Sequence, residues 1–229
     1  MSKNYGLKSN KITFDEITEE MQMSDAGFNA LMGCTVLWGL ICNFFICVLF
    51  DEQFYNLASI NPFIFILGYF ILVLIGSFVQ NISTNPVLAF LGFNFISLPV
   101  GAVLSICVSQ YTSLSISYVC FLTGVIVAIM IIISTLFPDF FNSLGTALLT
   151  SLISIIIIET TLLFFFGYEG HVIDYLVVAL FSLYIGYDWY KSQTCAATAY
   201  NAICCATDIY LDIINIFIRL LEIFGKKKN

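Results

Sequence analysis

An all-α integral membrane protein with seven transmembrane helices is the fold class this sequence predicts, and three observations predict it. Sixty per cent of the 229 residues are apolar and 10% are charged, against about 25% charged in a soluble domain whose surface must be hydrated. Mean hydropathy is +0.97. Seven stretches of roughly 19 to 24 residues are nearly free of charge, each long enough to cross a hydrocarbon core of about 30 Å as a helix. Runs such as Ile129 to Ile133 and Ile155 to Ile158 are apolar on every side. That suits a helix in lipid and not a barrel strand, whose residues alternate between apolar and polar.

Along the chain, residues 1–27 form a polar, acidic lead-in. Within it Thr13 and Glu16 have capping-box spacing, which predicts a short helix before the membrane. The lead-in lacks a short apolar core followed by a small-residue cleavage pattern, so the first span is expected to serve as the targeting signal. Spans are predicted at about 28–50, 62–80, 86–108, 114–137, 144–166, 172–190 and 202–224. Loops of roughly 5 to 11 residues make sequential helices antiparallel neighbours. Breaks fall at Asn61-Pro62, Asn85-Pro86, Pro138-Asp139 and Gly167 to Gly170. The expected organisation is a polar segment (1–27), one seven-helix domain (28–225) and a basic tail (226–229). In the third span Ser97, Gly101, Ser105 and Ser109 recur every four residues, a small-residue stripe for close helix approach, and Pro99 is expected to kink that helix.

Orientation is not fixed by basic residues. Lys3, Lys8 and Lys11 precede the first span, Lys191 lies in the sixth connection, and Lys226, Lys227 and Lys228 end the chain. Seven full spans leave one basic cluster outside, whereas a re-entrant last segment puts all three in the cytoplasm. Residues 202–224 are long enough to cross, which favours seven spans.

The net charge of -7 comes with too few and too scattered basic residues for a nucleic-acid groove, so no nucleic-acid partner is expected. The eight cysteines show no paired CxxC spacing and read as small apolar packing residues; a disulfide is compatible only with Cys195, Cys204 and Cys205. His171 has no metal-ligand companion in sequence, so zinc is unsupported and no cofactor is expected.

Ionisable groups inside a bilayer are costly, and each is a functional candidate that needs a partner. Glu159 interrupts the fifth span, Asp188 lies near the end of the sixth, and Asp208, Asp212, Arg219 and Glu222 belong to the seventh. Asp51, Glu52, Asp139, Glu169, His171 and Asp174 fall at span ends or loops, where water is expected to reach them. At about 100° per residue, Asn201, Asp208, Asp212, Asn215, Arg219 and Glu222 share a sector of roughly 80° on the last helix. Its polar face must be held against other helices, which makes that helix central rather than peripheral. The turn near 191–201 brings Asp188 and Asp212 down opposite arms of a hairpin. One arginine cannot neutralise Asp188, Asp208, Asp212 and Glu159 together. Close carboxylates then either share a proton or bind a hard cation through oxygen, with Asp188 and Asp212 as candidate calcium ligands. The competing reading is that the acids are buried protonated, or pair with Arg219, Asn215 and tyrosine hydroxyls, and serve packing alone.

The segment Asp208-Ile-Tyr-Leu-Asp212-Ile-Ile-Asn215-Ile-Phe-Ile-Arg219-Leu-Leu-Glu-Ile-Phe-Gly225 resembles the final-helix signature of the Bax inhibitor-1 family, the transmembrane Bax-inhibitor-motif proteins. Gly186-Tyr187-Asp188 resembles that family's sixth-helix motif. The seven-span layout, Tyr111-Thr112 closing the third span and the 139–145 connection are also similar, so the resemblance covers about residues 28–225. It implies six helices surrounding a central seventh and a pH-sensitive calcium leak. It further implies a hydrogen-bonded, gating aspartate pair at Asp188 and Asp212; Asp208, Asn215, Arg219 and Glu159 are read from the residues themselves as ion pathway or support. Eukaryotic relatives restrain cell death from the endoplasmic reticulum or Golgi; bacterial ones lie in the inner membrane, and some bind a membrane-anchored protease. This chain departs from the family where Ser77 to Asn85 lacks the basic residue that latches onto the sixth-helix aspartate. Only Gln80 or Asn81 is available there, as a neutral donor. Asp208 stands where a small hydroxyl residue is usual, and Glu159 is also unusual.

The expected function is therefore a passive calcium pathway gated by protons at Asp188 and Asp212, and not an enzyme. One alternative is a non-conducting membrane regulator of a protease or a cell-death partner. A remoter one is an intramembrane aspartyl protease, which uses paired acids to activate water, but the Gly-x-Gly before the second aspartate and the Pro-Ala-Leu motif of those enzymes are missing.

Overall fold

A computed structural model describes residues 22–166 and 171–228. The expectations on residues 13–16, on the N-terminal lysines, and on the 167–170 turn with Glu169 lie outside the described residues. Within them are eight helices: α1 (Asp25–Leu49), α2 (Asp51–Ile60), α3 (Pro62–Asn81), α4 (Pro86–Ser109), α5 (Ser113–Leu136), α6 (Pro138–Phe166), α7 (His171–Thr194) and α8 (Ala199–Phe224). Six of them, all but α2 and α8, are long and apolar enough to cross a membrane. The chain is an α-helical integral membrane protein. Helix α8 is long enough, at 26 residues or about 39 Å, but its four charged residues set it apart from the apolar six.

Helix ends follow local chemistry. Ser24 accepts a hydrogen bond from the Gly27 amide and Asp25 opens the first turn, so α1 starts before the apolar run does. Asn61 caps α3 through the Ile64 amide, with Pro62 in the first turn. Thr112 caps α5 through Ser115, and the Asn201 amide donates to Thr198 Oγ1 at the start of α8.

Two stretches differ from the sequence expectation. The expected loop after the first span is the ten-residue helix α2, opened by Asp51 and Glu52 and burying no residue; at about 15 Å it is too short to cross the membrane. The fifth apolar span begins at Pro138 rather than near residue 144. Proline breaks a helix interior but fits a first turn, where its missing N–H has no partner to lose.

The chain divides into two compact units. The first comprises residues 1–109 and 192–210. In it, a Cβ on Gly76 would lie 2.7 Å from the Gly92 carbonyl, and one on Gly92 would lie 2.6 Å from the Gly76 carbonyl. Helices α3 and α4 therefore meet backbone to backbone, as small residues permit in membranes. The expected stripe on α4 holds at Ser97, Gly101 and Ser105, which are buried, while Ser109 at its end is part-exposed; Asn43 of α1 lies so close over Gly101 that a Cβ there would sit 2.6 Å from its Oδ1. Helix α4 runs continuously through Pro99.

The second unit comprises residues 110–191 and 211–229. The Phe141 ring rests against Gly186, leaving no space for a Cβ. The chain after α8 folds back on the α4–α5 connection. The Thr112 amide donates to the Lys226 carbonyl at 2.9 Å and the Lys228 amide to the Gln110 carbonyl at 2.8 Å, forming an isolated bridge between Tyr111 and Lys227. Gly225 makes this possible, because a Cβ there would strike the Tyr111 ring.

Candidate functional site

The site residues predicted on the last helices are placed by neutral contacts. On α7, Gly186 packs under Phe141, and its carbonyl accepts a hydrogen bond of 2.5 Å from Ser134 of α5. Three residues on, the Trp189 indole donates to Thr135 of the same helix at 3.1 Å. Asp188 lies between these two anchors and is 8% exposed. On α8, Asp212 is 5% exposed, and Ile214, Phe217 and Leu220 of the same helix are buried as well. Both aspartates act electrostatically on Tyr184, one turn before Asp188.

Lys191 supplies a counter-charge that the sequence reading did not weigh. Its Nζ lies 3.8 Å from Asp188 Oδ1, one helical turn along α7. The i,i+3 spacing is visible in the sequence, where Lys191 otherwise bears on orientation.

Arg219, the single arginine of the chain, is engaged elsewhere. Its Nη2 donates to both oxygens of Glu159 at 2.7 and 2.9 Å. Its Nη1 donates to Asp174 at 2.9 Å and to Glu222 at 3.2 Å. One guanidinium thus ties α6, α7 and α8, and its planar fork of donors is suited to several carboxylates at once. Glu159 finds its partner here. Asp174, expected at a wetted span end, is instead 8% exposed and forms part of this network. The arrangement holds three formal negative charges against one positive charge.

The remaining predicted residues are placed differently. Asn215 donates to the Leu211 carbonyl of its own helix at 2.8 Å. Asp208 is half-buried and falls in the first unit. Gln80, the neutral stand-in for the absent basic residue, is 6% exposed and donates to Thr207 Oγ1 at 2.7 Å, while Asn81 donates to its own helix at Ser77. Among the described residues no three His, Cys, Asp or Glu side chains converge as metal ligands.

The fold and these buried acids define a class, a polytopic α-helical membrane protein whose last helices carry ionisable groups into the protein interior. The family model described as inhibitor of apoptosis-promoting Bax1 matches residues 25–229, and the chain belongs to the Bax inhibitor-1 family. Comparison with curated proteins and with solved structures returned no match.

Proposed function

We propose that this protein is a pH-sensitive passive pathway for calcium, with α8 as a seventh, central span and the Asp188/Asp212 pair as its gate. The observation that carries this reading is the burial of two carboxylates on consecutive helices while the only arginine is already committed to Glu159, Asp174 and Glu222. Lys191 offsets one of the two charges from a distance of 3.8 Å. A proton shared between the two carboxylates, or a passing cation, relieves their mutual repulsion.

The chemistry follows from these charges. Two ionised carboxylates repel and favour separation of α7 from α8, whereas a shared proton draws them into contact. Calcium takes six to eight oxygen ligands in flexible geometry. Two carboxylates supply only part of that shell, so the ion keeps some water and leaves again, which conduction requires. On this reading Asp208, Asn215 and the Arg219 network line or brace the pathway, and the protein is not an enzyme. The test is purified protein in vesicles loaded with a calcium-sensitive dye. Flux above that of empty vesicles, lost in Asp212→Asn, is expected. Flux equal to empty vesicles, or unchanged by the substitution, rejects the mechanism.

A further inference from the structure

Between α7 and α8 the sequence places Cys195, Cys204 and Cys205, and the fold sorts them. Cys195 is the residue immediately after α7, in the short non-helical stretch before α8, and is partly exposed. Cys204 and Cys205 are both buried on α8, but neighbours on a helix point about 100° apart. Cys204 lies near the Tyr200 hydroxyl, one turn back on its own helix. Cys205 faces the turn, with its sulfur 4.0 Å from that of Cys195. Cys195 also donates to the Ser192 carbonyl at 3.3 Å, and the turn is tied down by Asn201, whose side chain donates to the Ala196 carbonyl at 2.9 Å.

We propose that Cys195 and Cys205 form an oxidisable dithiol, a site at which a peroxide or a small-molecule disulfide closes a cross-link between the end of α7 and the second turn of α8. The sulfurs must close from 4.0 Å to a bond of about 2.05 Å. Cys205 is fixed in a helix, whereas Cys195 lies outside regular structure and has its own side-chain rotation to use. With hydrogen peroxide, the partly exposed Cys195 thiolate attacks one oxygen, the O–O bond breaks and a first water leaves, giving a sulfenic acid. The Cys205 thiolate then attacks that sulfur, forming the S–S bond and releasing a second water. Both thiols lose their protons and together two electrons, which reduce the peroxide. With glutathione disulfide the same two electrons reduce it to two glutathione thiols by successive exchange. The ring so closed spans ten positions and restrains the turn that joins the helices bearing Asp188 and Asp212.

The test uses the full-length protein in detergent, reduced and then exposed to hydrogen peroxide or glutathione disulfide, quenched with a maleimide and digested with chymotrypsin. Cleavage after Tyr200 separates Cys195 from the other two thiols, so a linkage appears as a two-chain peptide about 2 Da lighter than the sum of its thiol forms. This species is expected in the wild type and in Cys204→Ser, and absent from Cys195→Ser and Cys205→Ser. Fragment sequencing of the wild-type peptide reports the pairing even where Cys205→Ser does not fold. Maleimide on all three thiols after oxidation, or a Cys195–Cys204 pairing, overturns the proposal.

Discussion

The two units solve the same problem with different chemistry. In the first, every buried polar side chain among the described residues is neutral: Thr35, Asn43, Gln80, Ser97, Ser105, Ser192, Thr198, Asn201 and Thr207. Tyr210, fully buried, accepts from Asn43 at 2.6 Å and donates to the Ser97 carbonyl at 3.4 Å. In the second, the buried polar set includes Asp174, Asp188 and Asp212, the buried charged residues among those described. The same helix supplies Tyr210 to one unit and Asp212 to the other. A neutral group is satisfied by one or two hydrogen bonds and then serves packing. A buried carboxylate carries a charge that answers to protons and cations as well as to its hydrogen-bond partners. On the proposed function, the difference leaves packing to the first unit and responsiveness to the second.

Asp212→Asn and Asp188→Asn should break the comparison most severely. Each makes the second unit resemble the first, and calcium flux into dye-loaded vesicles is expected to fall roughly tenfold or more, with its pH dependence flattened. That size matches about 1.4 kcal/mol or more in the barrier. Arg219→Met should come next. It strands three carboxylates, and removing one partner of a buried pair costs about 3–5 kcal/mol. The partial exposure of this network reduces the figure to about 2 kcal/mol, read as a lower melting temperature in detergent. Adding Glu159→Gln to that variant should recover part of the loss.

Gly76→Ala is expected to cost about 1–3 kcal/mol by forcing α3 and α4 apart, also read by melting, with the pH profile of flux unaltered. Tyr210→Phe leaves the Asn43 amide short of its acceptor, at about 1–2 kcal/mol. Gln80→Leu, which replaces a single neutral hydrogen bond to Thr207, should have the smallest effect, about 1 kcal/mol. A changed pH profile in any of the last three would show that the neutral unit is not merely structural.

What the sequence made legible divides along similar lines. Apolar spans, caps and the stripe on α4 are properties of one segment, and they were readable because a single helix fixes which residues share its face. The polar face of α8 was readable for the same reason. Pairings between helices were not. Nothing within α7 says that Asp174 meets Arg219, nothing within α3 says that Gly76 meets Gly92, and Ser134 gives no sign within α5 that it holds Gly186. Those facts belong to two segments at once. Lys191 was the exception, a partner one turn from Asp188 and open to a local reading. Helix α2 escaped for another reason, since at ten residues it lacks the length of a span.

The pairing of residues 226–228 with the Gln110–Thr112 stretch has a mechanical side. Backbone hydrogen bonds at Thr112 and Lys228, with a third from the Lys226 amide to Ser115, fasten the foot of α8 to the start of α5. A piston stroke of one helical turn, about 5.4 Å, would tear all three at once. A swivel about the helix axis, or a bend above the fastening, leaves them whole. Any working motion of the last helix is thereby steered away from sliding and towards twisting.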